Sequence, residues 1–151
     1  MNDYEMNEYS VAIYNEQYMR DTMIVVSCSN KKKSYNCQAQ EMYSESILFR
    51  KTKDYIIKNY GGRYVILSSK YGIILPNKEI EPYDLFIKDI DKEHKKRLIY
   101  NIYFNLLPFK ELIVFGGKEY VNIIKQACPK LKIIEPLKGL GIGKRLQFLS
   151  E

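Results

Sequence analysis

The chain has little that could staple or anchor it. Three cysteines, Cys28, Cys37 and Cys128, make an odd count without CxxC spacing, and His94 is the sole histidine. That argues against a disulfide framework and against a structural zinc site. Neither a metal nor a cofactor is expected. No apolar run approaches the roughly 18 residues that a membrane span needs. Residues 1–21 carry Asp3, Glu5, Glu8, Glu16 and Asp21, without a basic start or an apolar centre, so they do not read as a signal peptide. The expectation is a cytoplasmic protein with no membrane partner. There is also no internal repeat and no linker.

What is present suits a globular enzyme or binding module. The 151 residues are enough for one full core and too few for two ordinary domains. The hydrophobic share is 46%, and 24 Lys and Arg against 18 Asp and Glu leave a net charge of +6. A basic balance permits a polyanionic partner such as DNA, and 14 tyrosines offer rings that could stack on bases or simply pack.

The hydrophobic pattern alternates between two periods. A weak helical stripe, Tyr4, Val11, Tyr14 and Tyr18, predicts an N-terminal helical extension over residues 1–21. The run MIVVSC at 23–28 is continuously apolar, the mark of a strand covered on both faces. After the polar loop 29–36, helical spacing from Gln38 to Asn59 predicts one helix, stopped by Gly61 and Gly62. A second strand is expected at 63–68, then a long loop over 69–91 containing Gly72, Pro76 and Pro82. Asp91 caps a helix with the stripe Leu98, Ile99, Ile102, Tyr103, Leu106 and Leu107, followed by Pro108. Strands at 111–116 and 131–136, a helix from Glu119 to Ala127 and a last helix after 139–143 complete the order. The predicted fold of residues 22–151 is α/β: a single three-layer domain with a mainly parallel four-stranded sheet and helices on both faces.

In such folds ligands sit outside the carboxyl ends of the strands. The loops 27–33, 68–72, 116–120 and 136–145 should therefore converge on one cleft. The first offers Ser27, Cys28, Ser29, Asn30, Lys31 and Lys32, groups that suit a phosphate or a sugar edge; Lys33 reads as solvated. The second offers Ser68, Ser69, Lys70 and Tyr71. The corner Pro82, Tyr83 and Asp84 adds a carboxylate, which could orient a water, stabilise positive charge on a sugar ring, or merely cap a turn. Gly116, Gly117 and Tyr120 open one helix, and Gly143, Lys144 and Arg145 another, where an anion could bind. The GxGxG at 139–143 lacks the spacing of a phosphate loop. Cys37 and Cys128 read as packed apolar filler, and His94 as exposed on a charged helical face.

The set VVSCSNKK, YVILSSKYGII, EPYDL, IVFGGKEY and GLGIGKRL, in this order over residues 23–149, resembles a family of small bacterial and phage domains. That family is similar to the YaaA peroxide-stress proteins, and its core is distantly similar to uracil-DNA glycosylases. The resemblance implies a DNA-facing basic cleft. The glycosylase signature GQDPY is absent, so no catalytic residue carries over from those enzymes.

Three functions are compatible with these residues. One is a DNA glycosylase that cleaves the N-glycosidic bond of a base, including a modified one, in repair or anti-phage defence, with the target nucleotide flipped into the cleft. In it Asp84 would be the catalytic carboxylate, Ser27 and Lys70 would assist, and Tyr71 or Tyr83 would stack on the base. A second is a non-catalytic DNA- or nucleotide-binding module of a stress response. A third is a hydrolase or transferase of free nucleotides or nucleosides.

Overall fold

A computed structural model describes residues 21–151. The helical extension expected over 1–21 lies, apart from Asp21, outside the described residues. The elements are β1 Thr22–Ser27, β2 Cys37–Gln38, α1 Ala39–Met42, α2 Ile47–Tyr60, β3 Val65–Ser68, β4 Gly72–Ile74, β5 Glu79–Ile80, a 3-10 turn Ile87–Asp89, α3 Lys92–Leu106, β6 Glu111–Phe115, α4 Lys118–Ala127, β7 Lys132–Ile134 and α5 Ile142–Leu149. No helix among them is long and apolar enough to cross a membrane.

The main sheet has five strands in the order β4-β3-β1-β6-β7. β3, β1, β6 and β7 run parallel, while β4 returns antiparallel on the β3 edge. β1 is central because it is the most apolar run: Met23 to Val26 are all buried, and neighbours flank both its edges. Its alternate residues enter opposite cores. Ile24 and Val26 pack with Met42, Phe49, Ile56 and Leu149 from α1, α2 and α5. Met23 and Val25 pack with Leu98, Ile102, Val121 and Ile124 from α3 and α4. Burying each such side chain contributes about 1.5–3 kcal/mol. This is the expected three-layer α/β domain.

Two expectations are corrected. The predicted long loop contains β4 and β5, so the main sheet has five strands rather than four, and β5 pairs with β2 in a separate ribbon. The predicted helix from Gln38 to Asn59 is two helices. Ser46 breaks it by adopting an extended backbone and accepting the Phe49 N–H as the cap of α2. The stop at Gly61 and Gly62 stands, with φ of 79° and 88°. Asp91 caps α3 as expected, accepting the His94 N–H at 2.8 Å.

β4 is turned back by Gly72, whose φ is 78°. The Asn101 side chain of α3 accepts the Ile73 N–H at 2.8 Å and fills the space where a Cβ on Gly72 would stand. Gly72→Ala combines a left-handed backbone with this collision. It should cost about 1–3 kcal/mol, lowering the urea midpoint with an unchanged m-value. An unaltered midpoint would show that the β3–β4 corner tolerates a side chain.

Candidate functional site

The four parallel strands end at one edge of the sheet. The connection from β1 leads to α1 and α2 on one face, and that from β6 leads to α4 on the other. Where neighbouring connections diverge, a crevice opens. A cavity of about 270 Å³ lies there. Its floor is apolar, from Val26, Leu48, Phe49, Phe115 and Leu137, and its polar groups come from Ser27, Cys28, Ser29, Asn30, Ser46, Thr52, Tyr120 and Arg145. Gly116 and Gly117 form one wall. A Cβ on Gly116 would stand 3.0 Å from both Cβ and Oγ of Ser27, so glycine lets the ends of β1 and β6 come together.

This cavity unites Ser27, Cys28, Ser29, Asn30, Gly116, Gly117, Tyr120 and Arg145, taken from three of the loops expected to converge. The Cys28 thiol lies 3.1 Å from the Tyr120 hydroxyl. Arg145 is half-buried and donates Nε–H to the Leu140 carbonyl at 2.8 Å, which fixes the guanidinium at the cavity rim. Lys31 is exposed, with its N–H donated to Ser29 Oγ at 3.2 Å. Lys33, expected to be merely solvated, is paired with Glu45 at 2.7 Å, and that hydrogen bond raises its pKa. Gly143 and Lys144 are exposed in the first turn of α5 and do not line this cavity.

The fourth loop has another role. Ser68 and Ser69, expected among the substrate-binding residues, are buried and hydrogen-bonded within the protein. Ser68 Oγ accepts the N–H of Lys70 at 3.1 Å and of Tyr71 at 3.0 Å. With both lone pairs engaged, its proton goes to the Tyr83 hydroxyl, 2.7 Å away. Tyr83 in turn donates to Tyr43, also at 2.7 Å. Ser69 Oγ donates to the Leu85 carbonyl at 2.6 Å. The Ser69 carbonyl accepts from His94 Nε2 at 2.7 Å, which makes Nε2 the protonated ring nitrogen. His94 is thus half-buried and engaged rather than free on a charged face; the partner carbonyl comes from a distant loop, which helix periodicity does not reveal.

Tyr83 is not an open stacking platform. Lys32 Nζ lies 4.6 Å from its ring centroid and Lys70 Nζ 6.0 Å, while Tyr71 meets it edge-on at 5.5 Å. Lys70 also lies 5.2 Å from the Tyr71 ring. Two cations therefore crowd the aromatic pair beside the cleft. Asp84 is exposed and makes no hydrogen bond or ion pair among the described residues. It does not line the β1–β6 cavity. Cys37 and Cys128 are buried thiols, as expected. Sequence reasoning missed Ser46, Leu48, Phe49, Thr52 and Leu137, which complete the cavity. The cap Ser46 followed by apolar positions at helix spacing was the available signal for the α2 residues.

The family now has its structural context. The chain belongs to the family of unknown function DUF6884, whose family model matches residues 23–151. The match begins within β1 and takes in every element that forms the cleft. No curated protein and no solved structure matches the chain.

Burial raises the pKa of Tyr43, Tyr83 and Tyr120 well above the ordinary tyrosine range, and the neighbouring Cys28 thiol adds to each shift. Burial pushes Tyr64 up to about 12. An unfolded tyrosine titrates near 10. Each of these groups holds its proton more tightly when folded, so its contribution is complete below pH ~10 and is lost as pH rises through the folded value. Stability should fall from pH ~10 upward. The buried tyrosines should ionise in step with unfolding, read as tyrosinate absorbance against circular dichroism. A smooth titration of all tyrosines near pH 10 in folded protein would contradict the burial. Ser68→Ala strands two N–H groups and the Tyr83 hydroxyl and should cost about 2 kcal/mol in urea unfolding.

Proposed function

We propose that this protein is a DNA glycosylase-like enzyme: it takes a nucleotide of DNA into the β1–β6 cavity and cleaves the bond between base and sugar. The observation that carries this reading is the cavity itself. It lies at the switch point of the sheet, and its apolar floor is ringed by hydroxyls, an amide and a fixed guanidinium. At about 270 Å³ it sits near the lower end of the range for small-ligand sites, a size for one nucleotide unit rather than a dinucleotide cofactor. Such a nucleotide would be flipped from the stack, base against the apolar floor. Ser27, Ser29 and Asn30 would take the sugar and the base edge. Lys31, Lys32 and Lys70 would take the neighbouring backbone, in keeping with the net charge of +6.

In the reaction the C–N bond breaks with its electron pair leaving on the base. The sugar passes through an oxocarbenium-like state, water adds to the anomeric carbon, and a proton from that water ends on the released base. Asp84 stands outside the cavity lining; in this reading the sugar would lie toward the Tyr83 corner, where the exposed carboxylate would stabilise its cationic state or orient the water. Its neighbour Tyr83 is anchored to Ser68 and Tyr43, which holds the backbone before Asp84 at the carboxyl edge of the sheet. The resemblance to YaaA proteins agrees with a DNA substrate, and free thiols agree with a cytoplasmic setting.

A second reading is a DNA-binding module without catalysis. One observation favours it: among the described residues no carboxylate lines the β1–β6 cavity.

Phage or plasmid DNA, unmodified or carrying modified pyrimidines, is incubated with the protein and scored for abasic sites by alkaline strand cleavage. Wild type should cleave at least one of these DNAs. Asp84→Asn should lose about 10²-fold or more in rate while keeping salt-sensitive binding. Binding without cleavage on every DNA would select the second reading. Binding that ignores salt would exclude DNA as the ligand and leave a free nucleotide or nucleoside.

A further inference from the structure

A second cavity, of about 330 Å³, adjoins the first. Gly116, Leu137 and Arg145 line both, so these three residues form the boundary that the two cavities share. The second cavity adds Lys118 from the start of α4, Lys125 from its last turn, and Lys138 and Glu135 from the loop after β7. Lys125 pairs with Glu135 at 3.5 Å. Lys118 and Lys138 have no ion pair among the described residues. Four cations thus face one carboxylate.

Arg145 sharpens the point. Nε is committed to the Leu140 carbonyl. Its terminal nitrogens have no hydrogen-bond acceptor and no carboxylate partner among the described residues. A half-buried guanidinium without a counter-ion is suited to an external anion, and its planar donor fork matches the oxygens of a phosphate. Gly116, which also lines both cavities, adds no side chain to that boundary.

We infer that the second cavity is a phosphate subsite for the nucleotide adjoining the one held in the first, so the ligand is a polynucleotide strand that crosses the shared boundary. Arg145 grips the bridging phosphate from that boundary, and Lys118 and Lys138 hold the next. This rests on the nucleotide-binding reading of the first cavity and selects a strand over a free nucleotide as its ligand.

The test compares a labelled single strand of about a dozen nucleotides with the four deoxynucleoside monophosphates, on the full chain. Lys118→Gln with Lys138→Gln removes two exposed cations found only in the second cavity. Lys110→Gln with Lys130→Gln makes the same charge change at the opposite, amino-terminal edge of the sheet. The first pair should weaken strand binding about tenfold and reduce the slope of log K against log salt by about 1, with mononucleotide affinity unchanged. The second pair should leave strand binding within about twofold, as expected of charges away from the contact. Equal losses from both pairs would reduce the effect to overall charge and overturn the subsite, as would no loss from the first pair. A parallel fall in mononucleotide binding would put the lysines at the first cavity and overturn it too. If the wild type bound neither ligand, the nucleotide reading itself would fail and the subsite with it.

Discussion

One hydroxyl holds the carboxyl edge of the sheet in shape. Ser68 Oγ accepts two backbone N–H groups of the turn that follows β3, and its proton ties that turn to Tyr83 and, through it, to Tyr43. A turn and a later corner, fifteen residues apart in sequence, are thereby fixed to each other and to the end of α1. The direction of the chain is set at its start, because an oxygen with two acceptor sites already filled can only donate. Buried networks of this kind are rigid when every member is satisfied. Lys32 and Lys70 reach the Tyr83 ring, so the placement of two cations also follows from the same oxygen.

The cavity depends on a second constraint, the close approach of β1 and β6. Their register runs from Thr22 opposite Glu111 to Val26 opposite Phe115, and beyond it a Cβ on Gly116 would press to 3.0 Å from Ser27. The same glycine also lines both cavities.

The parallel core was legible because fully covered strands are written as unbroken apolar runs, and β1 is the plainest of them. The cap at Asp91 and the stop at Gly61 were legible because they are local chemistry. β4 was not, since three residues after a tight turn carry no period of their own. The break between α1 and α2 was hidden because Ala39, Met42, Tyr43 and Leu48 keep helical spacing across it. Ser68 and Ser69 show the deeper limit. At the end of a strand a serine reads equally as a ligand group or as a structural one, and only the location of Tyr83, Leu85 and His94 in space decides between them. Ser27 and Arg145, by contrast, stand where they were sought, because strand ends and helix starts along one edge are dictated by the topology itself.

Among the described residues the central strand is also the first one made. β1 finds β3 after about forty residues, yet its other neighbour, β6, begins 89 residues later in the chain, Thr22 against Glu111. During synthesis an apolar ribbon waits with one side unpaired until most of the domain has emerged. Long-range parallel pairing is slow for the same reason that it is costly in loop entropy. The nascent chain therefore passes through a stage in which its most hydrophobic edge is open to neighbours, and shielding that edge is a demand placed on the cell rather than on the finished fold.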